Sequence, residues 1–320
     1  MKRIGENEIR SLTKDDFTAL FGMTESEFPN LLFESKKKDF FYNVIGHQKR
    51  NALIKDALRK IENREFKVAG KEEHKRWHDG WAQKLAEFKE SGCNLNLLVP
   101  QYIHVGVPAR LYRDFVMPLD AQKFEISQRS IFFEWLFKKY FSDVSFVYEF
   151  GCGTGINLAQ LAQIFPKKEY YGLDWAPAAA DMVDLIGEKL QCRMKGCVFN
   201  MFSPDEHFAL NPQSGVLLVS SLEQMGTEFV LFLDYLIAQK PRVVVVVDVF
   251  CELLDDRYIT DYLLTRFVEV RNYLRGFLDA LYLLERKRRV QIMRVHHSLI
   301  GGPFMEGQSY IVWKPKEDNR

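Results

Sequence analysis

The chain has 320 residues, of which 47% are hydrophobic and 27% are charged, a balance typical of folded globular proteins and unlike that of disordered chains. At roughly 150 residues per domain, this length favours about two domains. Lysine and arginine (44) exceed aspartate and glutamate (43) by only one, so the whole chain has no general attraction for nucleic acid or anionic lipid. We therefore predict no DNA partner.

The lengths of the apolar runs and the number of cysteines indicate the cellular compartment of the protein. Apolar runs such as 216–219 and 243–247 are far shorter than the roughly 18 residues that span a bilayer. Residues 1–10 are charged and lack the apolar stretch of a secretory signal. The five cysteines are an odd number without zinc-ligand spacing, which is typical of reduced thiols. We predict a cytoplasmic protein without membrane contact or structural zinc.

Residues 1–125 are predicted to form helices and loops, because apolar residues recur there at helical spacing and no strand-like alternation persists. One apolar stripe comprises Leu53, Ala57, Leu58 and Ile61, and another comprises Trp77, Trp81, Leu85 and Phe88. The ordinary interpretation of the two tryptophans is core packing. We interpret the region as a helical cap domain that shapes a substrate pocket.

The segment 99–113 links this region to the rest of the chain and is rich in aromatic and turn residues. If it folds over a bound ligand as a lid, Tyr102, His104 and Tyr112 are candidate contacts to the substrate, with Arg113 as a further one. The plain alternative is a packed linker.

From about residue 126, helices alternate with short β-branched runs, a pattern typical of βα units and a mostly parallel sheet. Strands are predicted at 145–150, 169–173, 197–200, 216–220 and 242–247. A long helix over 256–286 precedes a predicted hairpin of 290–296 and 309–313. The expected fold class is therefore α/β for residues 126–320, preceded by the helical domain over 1–125.

The most informative segment runs from Val147 to Leu158. A predicted strand carries an acid, Glu149, near its end and turns through Gly151, Gly153 and Gly155 into a helix. Glycines let backbone N–H groups approach a ligand, and a helix N-terminus adds positive partial charge. The dinucleotide fingerprint is G-x-G-x-x-G, whereas this turn is G-x-G-x-G with an acid ahead of it. An acid there repels a pyrophosphate and favours a ligand with a positive end.

The run from Glu149 to Gly155 resembles motif I of the class I S-adenosylmethionine-dependent methyltransferases. The resemblance covers roughly residues 126–315 and implies a Rossmann-like sheet of seven strands with a C-terminal antiparallel hairpin. It implies S-adenosylmethionine as cofactor, with its ammonium and sulfonium as the positive end. The alternative is a sheet that binds a nicotinamide or another nucleotide.

The same resemblance assigns further cofactor contacts. It implies that Asp174, after the second strand, binds both ribose hydroxyls, since a carboxylate can accept two hydrogen bonds from a diol. Trp175 is expected against the adenine, Asn200 on its amino group and Met201 on its ring. The family more often has an acid at the position of Asn200. Ser220, at the end of the fourth strand, completes the predicted cofactor site.

Residues after the fourth, fifth and sixth strands are candidates for the acceptor site, because ligands of open α/β sheets lie beyond the carboxyl ends of the strands. Methyl transfer requires an aligned nucleophile and, where it carries a proton, a base. Glu223 is the first candidate base, with a helix-terminal acid as the ordinary alternative. His296 and His297 offer an imidazole near neutral pKa, or are structural. Asp248 is a candidate contact for an amine-bearing acceptor, or a helix cap.

Missing motifs narrow the chemistry. No Asn-Pro-Pro-aromatic run follows the fourth strand, no Pro-Cys pair exists, and Asp248 is followed by Val249 rather than by asparagine. These absences argue against amino-group methylation of adenine, C5 methylation of cytosine and the magnesium site of catechol-type enzymes. We predict metal-independent methyl transfer to an O or N atom of a small-molecule acceptor. The alternatives are an RNA or protein methyltransferase and a non-catalytic scaffold that binds the cofactor.

Overall fold

The computed structural model of the protein describes residues 8–99 and 108–316. The α-helices are α1 (Lys14–Phe21), α2 (Asn30–Lys36), α3 (His47–Glu62), α4 (His74–Glu90), α5 (Ala121–Phe141), α6 (Ile156–Ile164), α7 (Pro177–Leu190), α8 (Val230–Gln239), α9 (Ile259–Arg271) and α10 (Phe277–Arg286). The strands are β1 (Ile9–Ser11), β2 (Phe41–Val44), β3 (Ala109–Leu111), β4 (Asp114–Pro118), β5 (Phe146–Phe150), β6 (Glu169–Asp174), β7 (Arg193–Val198), β8 (Ser214–Val219), β9 (Val243–Val247), β10 (Val290–His296), β11 (Ile300–Gly301) and β12 (Tyr310–Pro315).

The central sheet has seven strands in the order β10-β12-β9-β8-β5-β6-β7. The strands β5 to β9 pair in parallel, and β12 pairs antiparallel with both β9 and β10. The prediction of a mostly parallel sheet with a C-terminal antiparallel hairpin is confirmed. Strand β7 covers 193–198 and not 197–200, because this edge strand is partly exposed and its apolar signal is weak.

Alternate residues of the central strands face two different hydrophobic cores. In β9, Val243, Val245 and Val247 belong to one core, while Val244 and Val246 belong to the other. Such strands are apolar throughout because helices cover both faces of the sheet. The two cores fix the sheet between its helices and leave its carboxyl edge to form the site.

The described part of the amino-terminal region is mostly helical, as predicted, but it also carries four short strands that the pattern did not predict. They pair antiparallel in the order β1-β2-β4-β3, and β11 adds a fifth strand beside β3. Each of the four has only three to five residues, which is too short to show a clear alternation. The pairing of β3 with β11 ties this region to the loop between β10 and β12.

The amino-terminal region and the sheet share one core. Helix α5 begins at Ala121, where the side chain of Asp120 accepts a hydrogen bond from the N–H of Lys123 at 3.0 Å. The rings of Phe21 on α1 and Phe132 on α5 lie 4.9 Å apart between centroids, and both are fully buried. Burying a phenylalanine side chain contributes about 2 to 3 kcal/mol. Helix α1 is thus packed against α5 in a core that also contains residues of the sheet.

The predicted helix over 256–286 is two helices. Helix α9 ends before Asn272, whose φ of 53° is left-handed, and α10 begins after Gly276, whose φ is 80°. Left-handed residues end a helix because its hydrogen-bond ladder cannot continue through them. Within the described residues, the structure has no helix both long and apolar enough to cross a membrane.

Candidate functional site

A cavity of about 520 Å³ lies at the carboxyl ends of the central strands, within the usual range of roughly 300 to 1,000 Å³ for ligand sites. It is lined by the glycine turn after β5, by Asp174 at the end of β6 and by Ser220 after β8. Residues of α4, α5 and the loop 300–308 form the opposite walls. Elements that are far apart in the sequence therefore enclose one cavity.

The glycine turn has a backbone that L side chains rarely adopt. The φ angles of Gly151, Gly153 and Gly155 are 70°, 53° and 72°. A Cβ on Gly153 would lie 2.9 Å from Cζ2 of Trp81, and one on Gly151 would lie 2.4 Å from Cβ of Ser221. The turn therefore needs glycine for its conformation and for the closeness of its neighbours.

Asp174 connects the ends of two neighbouring strands. Its Oδ2 accepts a hydrogen bond from the N–H of Gly153 at 3.1 Å, and its Oδ1 accepts one from the N–H of Ala176 at 3.0 Å. Burial raises the pKa of Asp174 to about 6, while these backbone bonds act to lower it. Because each carboxylate oxygen has a second lone pair, Asp174 still has acceptor capacity towards the cavity that it lines.

Glu149 is a buried acid that has a hydrogen-bond partner for only one of its carboxylate oxygens within the described residues. Its Oε1 accepts a hydrogen bond from Nδ2 of Asn157 at 2.7 Å, and its Oε2 has no hydrogen-bond partner in the described part of the chain. Burial, together with the charge of Asp174, raises the pKa of Glu149 to about 8. The side chain lines the cavity. A cation placed there would stabilise its carboxylate form.

Aromatic side chains provide flat walls at the glycine turn. Trp175 and Phe202 stack with centroids 5.6 Å apart, and Trp77 and Trp81 stack at the same distance. All four rings line the cavity. The tryptophans of α4, interpreted as core residues from the helical stripe, are half-buried cavity residues. The stripe itself gave no sign of which protein surface it would face.

Most of the remaining predicted cofactor contacts line the cavity, but Asn200 and Gly155 do not. Met201 and Ser220 line the cavity, as do Glu149, Gly151, Gly153, Asp174 and Trp175. Asn200 is exposed, and its Oδ1 accepts a hydrogen bond from the N–H of Phe202 at 3.0 Å, which closes a turn outside the cavity wall. Gly155 lies behind the turn, where a Cβ would meet Cδ1 of Ile186 at 2.8 Å. Asn200 thus stabilises a turn, and Gly155 allows close packing against α7, without lining the cavity.

Glu223 lies on the cavity wall, in the short 3-10 helix Leu222–Met225 after β8. Its Oε1 accepts a hydrogen bond from Nε2 of Gln224 at 3.0 Å, and its Oε2 has no partner among the residues described. Burial raises the pKa of Glu223 well above its ordinary value, with a further contribution from the charge of Asp248. Arg271 acts in the opposite direction. Burial and Asp248 therefore favour the protonated form of Glu223, and Arg271 favours its carboxylate.

Asp248 lies beneath Glu223 and not on the cavity wall. Its Oδ1 accepts a hydrogen bond from the N–H of Val249 at 2.8 Å, and its Oδ2 accepts one from the N–H of Glu223 at 3.1 Å. Burial raises its pKa to about 7. The acceptor contact predicted for Asp248 is not what the structure shows, because its oxygens face the backbone and fix the turn that carries Glu223.

Arg271 and Tyr273 are cavity residues that the sequence analysis missed. Nη2 of Arg271 donates a hydrogen bond to the hydroxyl of Tyr273 at 2.5 Å, and its guanidinium lies 4.6 Å from the centre of that ring. Both reach the cavity at the break between α9 and α10. Since one continuous helix was predicted there, no sequence signal pointed to them.

Three phenylalanines form an apolar wall next to this polar group. The centroids of Phe66 and Phe267 are 4.8 Å apart, those of Phe66 and Phe304 are 5.1 Å apart, and those of Phe267 and Phe304 are 5.2 Å apart. The three rings come from distant parts of the chain and all line the cavity. This half of the cavity therefore offers an aromatic surface beside Glu223, Arg271 and Tyr273.

The two predicted catalytic histidines lie outside the cavity wall. Nε2 of His296 is 2.8 Å from the carbonyl oxygen of Leu20, and burial lowers the pKa of this imidazole. Nε2 of His297 is 2.6 Å from Oε1 of Glu306. Both rings join the sheet to neighbouring segments, so the structure gives them structural positions.

Tyr112 and Arg113, the two predicted lid residues that the structure describes, are not brought to the site. Tyr112 is 43% exposed, and its hydroxyl donates a hydrogen bond to Oδ1 of Asp16 at 2.9 Å, away from the cavity wall. Arg113 lies 3.3 Å from Oδ2 of Asp261 in an ion pair. Tyr102 and His104 lie outside the described residues.

Comparisons with known proteins find structural neighbours only. No protein-family model and no curated protein matches the chain. Among solved structures, it is similar to the N,N-8-amino-8-demethyl-D-riboflavin dimethyltransferase RosA from Streptomyces davawensis (14% identity, TM-score 0.41, 61% of this chain and 57% of that chain). It is also similar to the S-adenosylmethionine-dependent methyltransferase SibL (16%, TM-score 0.44, 61% and 57%) and to a small RNA methyltransferase (17%, TM-score 0.43, 61% and 25%).

The chain spans little more than half of RosA and SibL, and a quarter of the small RNA methyltransferase. The fold has the arrangement that the resemblance implies: the seven-stranded sheet has the predicted terminal hairpin, and the glycine turn follows β5, which lies between β8 and β6. Activity and acceptor have to be inferred from the side chains of the cavity.

Proposed function

We propose that the protein is an S-adenosylmethionine-dependent methyltransferase that methylates an O or N atom of a small-molecule acceptor. The observation that carries this proposal is the pairing of two sites in one cavity. A buried acid with an unpartnered oxygen, Glu149, lies at the glycine turn, and a second such acid, Glu223, lies beside Arg271 and Tyr273. The first suits a cationic cofactor, and the second suits an acceptor that loses a proton.

The residues at the glycine turn fit S-adenosylmethionine. The unpartnered oxygen of Glu149 can accept a hydrogen bond from an ammonium group, and the free lone pairs of Asp174 can accept those of a ribose diol. Trp175 and Phe202 offer apolar surface for adenine. When bound, this cofactor supplies a methyl group on positively charged sulfur. The protein would hold its ends and exclude water from the cavity.

The residues around Glu223 fit an acceptor that carries a proton. Its raised pKa makes the carboxylate a stronger base than that of an exposed glutamate, as general base catalysis requires. Arg271 stabilises the ionised form, while Gln224 binds Oε1 and leaves Oε2 free to face an O–H or N–H group. In this proposal Glu223 holds or removes the proton of the attacking atom.

The cavity supports a small acceptor over a macromolecule. Its volume of about 520 Å³ must hold both cofactor and acceptor, and walls from α4, α5 and the loop 300–308 face the strand ends. Within residues 8–99 and 108–316, no group of three or more His, Cys, Asp or Glu side chains is arranged to hold a metal ion. Metal independence, the cytoplasmic location and the absence of DNA and membrane partners stay predictions.

Transfer of a labelled methyl group tests this proposal. Purified protein is incubated with methyl-labelled S-adenosylmethionine and, separately, with small-molecule, RNA and protein fractions of a cell extract. We expect label in the small-molecule fraction, and loss of that label with Glu223→Gln. Label confined to RNA or protein would contradict the small acceptor, and cofactor binding without transfer to any fraction would favour a scaffold.

A further inference from the structure

Two buried glutamines face each other in the cavity wall. Gln128 lies on α5 and is 2% exposed, and Gln308 precedes β12 and is 1% exposed. Both line the cavity. Nε2 of Gln128 donates a hydrogen bond to Oε1 of Gln308 at 3.2 Å. The pair joins residues 180 positions apart in the chain, so it has no counterpart in any local sequence motif.

Each glutamine keeps one polar group unused. Oε1 of Gln128 and Nε2 of Gln308 have no hydrogen-bond partner among the described residues. A buried amide group without a partner destabilises a protein by about 1 to 3 kcal/mol. The pair therefore holds one acceptor oxygen and one donor nitrogen without partners, on two side chains that line the cavity. Turning both amides over leaves the same combination of one acceptor and one donor.

The backbone around Gln308 is held in place by buried neighbours. The hydroxyl of Ser309 donates a hydrogen bond to Oε2 of Glu306 at 2.9 Å, and Oε1 of Glu306 lies 3.0 Å from Nη2 of Arg110. The hydroxyl of Ser309 also accepts a hydrogen bond from the N–H of Ser298 at 3.0 Å. Because its neighbours are fixed, Gln308 is positioned before any ligand arrives, which lowers the entropic cost of binding.

We infer that the acceptor carries an amide edge, with an N–H group next to a carbonyl, as in a primary carboxamide, a lactam or an imide. Its N–H would donate to Oε1 of Gln128, and its carbonyl would accept from Nε2 of Gln308. An ester or lactone would leave the oxygen of Gln128 unpaired, and a carboxylate would place a negative charge against it. This inference rests on the proposed function, since it describes the acceptor of the same cavity.

A pair of bicyclic probes of the same shape tests the inference. Quinolin-2(1H)-one is a lactam, and coumarin is the corresponding lactone, in which an oxygen atom replaces the N–H. Calorimetric titrations with and without saturating S-adenosylhomocysteine compare their dissociation constants. We expect the lactam to bind at least about tenfold more tightly, because the lactone leaves a buried acceptor unpaired. Equal affinities, or no binding of either probe at millimolar concentration, would overturn the inference.

Variants of the glutamine pair sharpen the test. Gln128→Leu removes the acceptor oxygen that distinguishes the probes and should abolish the preference for the lactam, whereas Gln308→Leu removes a donor that both carbonyls use and should weaken both probes. Gln122→Leu makes the same change at an exposed position of the same helix as Gln128 and should keep the preference. A preference that persists in Gln128→Leu would contradict the inference. The comparison of the two probes on the unmodified protein stands even if a variant fails to fold.

The same titrations separate this inference from the proposed function. Binding of S-adenosylhomocysteine to the unmodified protein, without any preference for the lactam, would overturn the amide edge alone. Failure to bind S-adenosylhomocysteine would overturn the proposed function, whatever the probes show.

Discussion

Two pairs of buried acids lie at the carboxyl ends of the central sheet, Glu149 with Asp174 and Glu223 with Asp248. In each pair the aspartate accepts hydrogen bonds from two backbone N–H groups. The glutamate of each pair binds a side-chain amide with one oxygen, and its other oxygen has no partner among the described residues. The two pairs are thus built alike, and their differences indicate their separate tasks.

The pairs differ in the charges around them. Arg271 lowers the pKa of Glu223 against the effects of burial and of the like charge of Asp248, whereas the charge acting on Glu149 is the like charge of Asp174. Glu149 therefore gains most from a cation that arrives with a ligand. Asp174 lines the cavity and Asp248 does not. In the proposed function, the first pair binds the cofactor and the second serves the acceptor and its proton.

Loss of the base should have the largest effect. We expect Glu223→Gln to lower the rate of methyl transfer by about 100-fold or more, the usual contribution of a general base, and to leave the affinity for S-adenosylhomocysteine unchanged. The measurements are initial rates with labelled cofactor and calorimetric titration. Glu228→Gln, at an exposed position nearby, is the control. A variant with an unchanged rate would remove Glu223 from the mechanism.

Variants of the two aspartates should differ in their affinity for the cofactor. Asp174→Ala should weaken binding of S-adenosylmethionine by about 1.5 to 3 kcal/mol, the scale of hydrogen bonds to a charged group. Asp248→Ala removes an equivalent pair of backbone contacts, so it should lower stability and turnover while cofactor affinity stays close to that of the unmodified protein. Dissociation constants and urea unfolding of both variants check this difference. Similar losses of affinity would abolish the distinction between the pairs.

The pH dependence of binding should reveal Glu149. Its pKa of about 8 means that it is mostly protonated at pH 6 and ionised above pH 8. Since a cation binds the ionised form, affinity for S-adenosylmethionine should rise with pH by up to about tenfold per unit and level off above pH 8. Methylthioadenosine, which lacks the ammonium group, serves as the control ligand, and Glu149→Gln should remove the difference. Parallel pH profiles for the two ligands would contradict this role of Glu149.

The smallest expected effect is that of alanine at Gly153, where a loss of cofactor affinity can be told apart from a loss of stability. Gly153 and Gly276 both have positive φ, but only the first meets neighbouring atoms, at Trp81. Alanine at either position should lower stability by about 1 to 2 kcal/mol. Gly153→Ala should also weaken cofactor binding by about tenfold, while Gly276→Ala should not. Equal affinities of the two variants would show that the turn tolerates a side chain.

The sequence predicts those parts of the site whose signal lies in residues close together in the chain. The glycine turn and Asp174 were identified because an acid, three glycines and a strand end follow one another closely. Strands β8 and β9 were identified because they are apolar on both faces. The same local reasoning could not give the orientation of His296, which faces α1.

The features that were missed depend on contacts between distant residues. Strands β1 to β4 are stabilised by one another and by β11, and their own sequences carry little signal. Trp81 reaches Gly153 only because α4 packs over the turn, and Tyr273 reaches the cavity only because Asn272 ends α9. Such arrangements follow from the packing of the whole chain.

Calorimetric titration with S-adenosylmethionine, S-adenosylhomocysteine and NAD tests the central claim most directly. If the glycine turn and its two acids form a site for a cationic adenosyl cofactor, the first two ligands bind with micromolar affinity and NAD does not bind. Binding of NAD without binding of either adenosyl ligand would contradict the account and would indicate an oxidoreductase.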